Sequence, residues 1–136
     1  MELNANDRRD CVDVMEKTED LVELLRDMQA NNSHITAGAI MSVQGLPIAS
    51  QLPRNANEGI VSAISAALLS VAQRGCEELE RGTMKRLIVE GTQGIFICQS
   101  AGQNSILAIL AAPDSKMGML VLDLDKCTKK IGAILG

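Results

Sequence analysis

Fifteen consecutive residues, Gly59 to Gln73, carry no charge, and their spacing predicts a helix. Asn57 is placed to cap it after the break at Pro53-Arg54-Asn55, and Glu58 suits its first turn, so the helix is expected over roughly 57–81. Ile60, Ile64, Ala67, Leu68, Val71 and Leu79 form one apolar stripe. Val61, Ser62, Ser65, Ala66, Leu69, Ala72 and Cys76 spread over the remaining surface and are mostly small. A helix that covers a sheet on one side ordinarily shows charge on the other. Here charge returns only at Arg74, Glu77, Glu78, Glu80 and Arg81. The physical reading is burial on two sides: small side chains let another backbone approach, and the lack of charge avoids unpaired buried ions.

The other elements arrange themselves around that helix. Leu21, Leu24, Leu25 and Met28 fall at i, i+3, i+4 and i+7, with Val14 two turns earlier, which predicts an amphipathic helix over roughly 12–30. Residues 35–43 are β-prone, Gln44-Gly45-Leu46-Pro47 reads as a turn, and Ile48-Ala49-Ser50 resumes an extended run, a hairpin pattern. Three strands are expected over 84–90, 95–100 and 105–111. Gly91-Thr92-Gln93-Gly94 and Ala101-Gly102-Gln103-Asn104 join them into an antiparallel meander. Alternation puts Ile95, Ile97, Ile106, Ala108 and Leu110 on one face and Phe96, Cys98, Leu107, Ile109 and Ala111 on the other. Both faces are apolar, so both should be covered. A final helix over about 116–135, capped by Asp114 or Ser115, presents Leu120, Leu124, Ile131, Ile134 and Leu135.

The expected fold is α/β of the α+β kind, in the order α-β-β-α-β-β-β-α. One five-stranded antiparallel sheet carries two helices on one face and the charge-free helix on the other. The expectation is a single domain over 1–136, with 1–12 as a flexible N-terminal extension.

Charge narrows the function. Seventeen acidic residues against thirteen basic give a net charge of −4, and residues 7–27 alone hold eight of the acids. An acidic chain with pI near 5.0 is a poor ligand for nucleic acid. One Phe and no Trp or Tyr leave almost nothing to stack on bases. Lys126, Lys129 and Lys130 read as charges favouring a helix C-terminus. No uncharged apolar run reaches the roughly 18 residues of a bilayer span, so direct membrane insertion is not expected. The start of the chain is polar and unlike a signal peptide, which makes the cytoplasm the expected location.

No constellation of residues carries chemistry. Cys11, Cys76, Cys98 and Cys127 are scattered, and His34 is the single histidine, so no metal site is expected. The cysteines read as buried thiols, with an intermolecular disulfide through Cys11 or Cys76 as the alternative. His34 reads as a surface or capping residue, and the pairs Asp123/Asp125 and Glu77/Glu78 as solvated helix faces. Gly91 to Gly94 fits a G-x-x-G pattern but joins two strands, as a hairpin turn does. No phosphate-binding loop is present, and no catalytic residue or cofactor is expected.

From about Val14 to Leu135 the chain resembles the roadblock family, which comprises roadblock-type dynein light chains and their prokaryotic relatives. The resemblance rests on Ala39 through Ser50, a strand, polar-Gly-apolar turn and short apolar strand, and on the Ala- and Ser-rich helix after Pro53. It continues in Val89-Glu90-Gly91 through Gly94-Ile95-Phe96-Ile97, then Leu107 through Ala112 with Met117-Gly118 beyond. Residues 1–12 have no counterpart in it.

That resemblance implies a non-enzymatic homodimer. Third strands would pair edge to edge through Met84, Arg86, Ile88 and Glu90, and second helices would lie side by side. Val61, Ser65, Ala66, Leu69, Ala72 and Cys76 would form the helix seam. It also implies a scaffold or regulator that binds a Ras-like small GTPase and modulates its nucleotide cycle, with Arg74, Glu77, Glu78 and Arg81 as the polar rim. The alternatives are a dynein-light-chain-like adaptor indifferent to the GTPase state, and a small-ligand sensor domain. On this reading, Glu at Ala66 or Leu69 is expected to give monomers or insoluble protein.

Overall fold

The structure is a computed structural model that describes the backbone from residue 5 and the side chains from residue 15, through residue 136. Its elements are α1 (Ala5–Asn31), β1 (Ile35–Ser42), β2 (Pro47–Gln51), α2 (Glu58–Glu78), β3 (Leu87–Gly91), β4 (Gly94–Ala101), β5 (Ser105–Ala111) and α3 (Met117–Leu135). The order matches the expected one. The first helix begins at Ala5, earlier than its apolar spacing indicated. The expected extension over 1–12 lies partly outside the described residues.

Local chemistry sets the turns and caps. Gly45 takes a φ of +90° between β1 and β2, and its N–H donates to the Ser42 carbonyl at 2.9 Å. The Ser42 hydroxyl accepts from the Leu46 N–H at 3.1 Å and closes the same turn. The Asn57 side chain accepts from the Ile60 N–H at 3.0 Å, so the predicted N-cap of α2 is the observed one. For α3 the cap is instead Lys116, which makes no side-chain cap bond, and not Asp114 or Ser115. Ser115 donates back to the Ala112 carbonyl.

The five strands form one antiparallel sheet in the order β2-β1-β5-β4-β3. α1 lies over β1 and β2, and α3 over β4 and β5, on the same face. Between them they bury Leu21, Leu25, Ile40, Ile97, Leu107, Ile109, Leu120, Leu124 and Ile131. α2 covers the other face above Ala39, Met41, Cys98, Ile106 and Ala108.

This division corrects the facing assigned to β4 and β5. Ile95 pairs with Ala111 and Ile97 with Ile109, so these four share the α1/α3 face. Phe96 and Cys98 pair with Leu110 and Ala108 and share the α2 face with Ile106. The cause is the connection. Ala101 pairs with Ser105, which leaves three residues in the turn rather than four, and one residue of register moves every side chain to the opposite face. Gly102 sits in that turn at φ +72°, so close to the end of α3 that an added Cβ would stand 2.5 Å from the Gly136 carbonyl oxygen.

The two carboxylates of α3 are not merely solvated. Asp123 accepts from the Asn32 side-chain amide at 2.9 Å and ties α3 to the end of α1. Asp125 accepts from Gln99 Nε2 at 2.9 Å and from the Arg86 guanidinium at 3.3 Å. The Gln99 bond and the nearby Arg86 charge hold the Asp125 carboxyl below its usual value. Of the two expected roles for His34, surface or cap, the structure shows the surface one, with its side chain 44% exposed. Its backbone N–H donates to the Asn32 side-chain Oδ1 at 3.1 Å, and its ring Nε2 lies 3.7 Å from an Asp114 oxygen.

Candidate functional site

α2 has two long apolar sides, and the structure assigns them in the opposite sense to the expected seam. The side turned to the sheet is the small one. Ser62, Ser65, Ala66 and Leu69 are buried there. Met41, Cys98 and Ile106 already fill the sheet surface beneath, so the helix settles on it mostly through small side chains, with Leu69 the one larger residue. The β1–β2 turn presses on the same side: a Cβ on Gly45 would meet Ala63 Cα and Ala66 Cβ at 3.4 Å. The Ser65 hydroxyl donates to the Val61 carbonyl at 2.7 Å and also lies within hydrogen-bond reach of the Cys98 thiol. Burial pushes that thiol up to about 12, so it is unreactive. Cys127 is likewise raised, to about 11.

Ser62 Oγ is fully buried with no hydrogen-bond partner among the described residues. Ser62→Ala is therefore expected to raise stability by about 1 kcal/mol, because it removes an unpaired polar group without changing the packing. Chemical denaturation with an unchanged m-value checks it.

The side turned to solvent carries the large aliphatics. Ile60 is 57% exposed, Ile64 51%, Leu68 40%, Val71 71% and Leu79 69%. The seam expected from Ser65, Ala66 and Leu69 is thus corrected, since the chain's own sheet covers all three. Val61, Ala72 and Cys76 are half-buried at the margin of the helix. The sequence did display the exposed stripe, but as the side expected to pack inward.

α2 does not cover its whole face of the sheet. It crosses the end near Val43, Ser100 and Ile106, where a cleft of about 230 Å³ runs past Ala66, Leu69, Gln73 and Met84. At the other end Thr36, Leu110, Phe96 and Val89 lie side by side across β1, β5, β4 and β3 under an open trough of about 400 Å³. An exposed apolar helix face next to an uncovered strip of sheet is an unpartnered apolar surface.

β3 bounds the sheet and pairs on one side only, with β4. It begins at Leu87 rather than Met84. Met84 lines the cleft beside α2, and Arg86 is held by Gln99 and Asp125, so neither belongs to the strand edge. Ile88, Val89 and Glu90 are exposed on it. A short strand with open N–H and C=O groups is a template for another strand.

Arg74, Glu77, Glu78 and Arg81 are all exposed at the C-terminal end of α2. Gln73 donates to Glu77 Oε1 at 3.1 Å. The last turn of α2 holds no basic residue, and acids gathered where the helix dipole is already negative are mildly unfavourable to the fold. Their placement sets a charged border of mixed sign beside the apolar stripe.

Among the described residues, no group of three or more His, Cys, Asp or Glu is arranged to hold a metal ion. α2 is long and apolar enough to cross a membrane by length and composition, but its small side is committed to the sheet.

Residues 21–111 match the model of the Roadblock/LC7 domain. An uncharacterized protein of Methanocaldococcus jannaschii is 29% identical over 100 residues, which span 74% of this chain and 87% of that protein. Among solved structures, an MglB with a tetrameric arrangement superimposes with a TM-score of 0.79 at 14% identity, covering 87% of this chain and 89% of that one. A Roadblock/LC7 domain from Streptomyces avermitilis superimposes with a TM-score of 0.79 at 18% identity, covering 84% and 96%. These likenesses establish the fold.

Proposed function

This chain belongs to the Roadblock/LC7 domain family, and from that membership we propose a non-enzymatic scaffold that dimerises through α2 and β3 and binds a Ras-like small GTPase. The carrying observation is the exposed stripe Ile60, Ile64, Leu68 and Val71 beside the uncovered sheet strip and the open edge of β3. A second copy related by a two-fold axis at β3 would extend the sheet and lay its own α2 over the Phe96–Leu110 trough. One surface of the chain would then answer the same surface of its twin, covering apolar area that water otherwise wets. The tetrameric arrangement of the similar MglB structure is in keeping with a fold used for assembly.

In the dimer the outer part of each α2 and the rim of Arg74, Glu77, Glu78 and Arg81 remain available to a third molecule. An apolar centre with a charged border is the usual anatomy of such a platform. A GTPase whose switch loops docked there would have one nucleotide state favoured over the other, which is how binding modulates the cycle. The free thiols Cys76, Cys98 and Cys127 fit a reducing compartment, and the proposed location is the cytoplasm.

The test mixes the purified chain with Ras-like GTPases loaded with GDP or a non-hydrolysable GTP analogue and measures affinity and single-turnover hydrolysis. The expected result is binding that differs at least about tenfold between the two states, a coupling of about 1.4 kcal/mol. Binding that ignores the nucleotide would replace this reading with that of a simple adaptor. No binding in either state would remove it.

A further inference from the structure

The opposite face of the domain carries a second unpartnered surface. α1 and α3 lie side by side there and run antiparallel: Asn32 bonds Asp123, while Leu24, Asp27 and Met28 line one groove with Cys127 and Lys130. The outward face of α1 presents Glu16, Glu19, Asp20, Glu23 and Asp27, all exposed. The outward face of α3 presents Lys126, Lys129 and Lys130, with Met119 and Leu122 half-exposed one to two turns before them.

The helix-dipole explanation of those lysines fails. α3 continues to Leu135, its last turn holds no basic residue, and a dipole acts only within that turn. Within the chain Lys129 lies near Asp125, and Lys126 and Lys130 share the α1/α3 groove with Asp27, but none of the three closes an ion pair within 4 Å among the described residues. The ion pairs within 4 Å among the described residues are His34–Asp114 and Arg86–Asp125. An acidic and a basic helix face therefore lie side by side on one surface, their outward charges not closed into ion pairs.

We propose that this α1/α3 face is a second self-association surface, on which α1 of one copy docks against α3 of another. Symmetry and charge choose the geometry. Two copies placed back to back have their two-fold axis in the plane between them. An axis across the helices would set α1 on α1 and oppose five acids to five acids. An axis along the helices sets α1 on the partner's α3, twice, and keeps the level along the helix. Glu23 and Asp27 then meet lysines of the partner's α3, because Asp27 and Lys126 already stand at one level within a single chain. The half-exposed Met119 and Leu122 come against the end of the partner's α1, so apolar burial accompanies the ion pairs. Exposed ion pairs are individually weak and screened by salt, so the association is modest and ionic-strength dependent. It occupies the face opposite α2 and stands or falls apart from the α2 reading.

Sedimentation velocity of the Val71→Asp chain, whose α2 stripe is blocked, isolates this surface. The expected result is a mass of two copies at about 20 mM salt and of one copy at about 500 mM. In that background K126E/K129E and E23K/D27K each give single copies at both salts, and mixing the two variants restores pairs. Because the changed residues are exposed, circular dichroism should show an unaltered fold. A mass that ignores salt, reversed-charge variants that pair as the parent does, or a mixture that fails to pair would each overturn the proposal. The same K126E/K129E change in the otherwise unaltered chain should remove the largest species and leave the α2-mediated dimer.

Discussion

Val71→Asp is expected to convert the proposed dimer to monomers without unfolding them. Val71 is the most exposed large aliphatic of the α2 stripe, at 71%, so the isolated fold tolerates a carboxylate there. In the proposed dimer the same position is closed from water. The substitution then loses the burial of an aliphatic side chain and strands a charge, about 3 kcal/mol or more for each of the two symmetric positions. Over both positions that corresponds to a rise in dissociation constant of more than roughly ten-thousandfold. Analytical ultracentrifugation across a concentration series measures it, with 0.5 M salt present to suppress the weaker α1/α3 association. Thermal unfolding of the variant should show a concentration-independent midpoint, because a monomer has no mass-action term. A dimer of unchanged affinity would mean that the stripe is not the interface.

What the sequence made legible here are the elements set by local rules. The charge-free run, the Leu21–Met28 spacing and the Gly-bounded strands each point to one element, and the structure holds all eight in the expected order. The choice between the two apolar sides of α2 was not legible. Periodicity detects both sides equally, and the decision depends on how much of the sheet beneath is already filled by Met41, Cys98 and Ile106 from three other segments. The Ile60–Val71 aliphatics are expected inward, whereas the buried side holds Ser62, Ser65 and Ala66 with Leu69 as its one large residue. The facing of β4 against β5 was lost for a smaller reason, a turn counted one residue too long. The partners of Asp123 and Asp125 lie 91, 26 and 39 residues away in sequence, at Asn32, Gln99 and Arg86, and no spacing rule joins them. Of the candidate surface, its helix and its charged rim were visible, but its exposed side and the sheet trough were not.

The orientation of α2 has a sharper consequence at Leu69. This residue is 6% exposed and packs with Ala66 and the sheet rather than with a twin. Leu69→Glu therefore places a carboxylate in the apolar layer between α2 and the sheet. The lost transfer energy of the leucine and the desolvation of the charge together cost about 4–6 kcal/mol. A domain of this size commonly has about 5–15 kcal/mol in hand, so unfolded or insoluble protein is the expected outcome. Leu69→Ala separates folding from assembly. It leaves a cavity worth about 2–4 kcal/mol, lowers the unfolding midpoint by several degrees, and retains the dimer because the Ile60–Val71 stripe is intact. If Leu69→Glu instead yielded a soluble, fully folded monomer, the small side of α2 would have to be the one that meets the partner, and the assignment of its two sides would reverse.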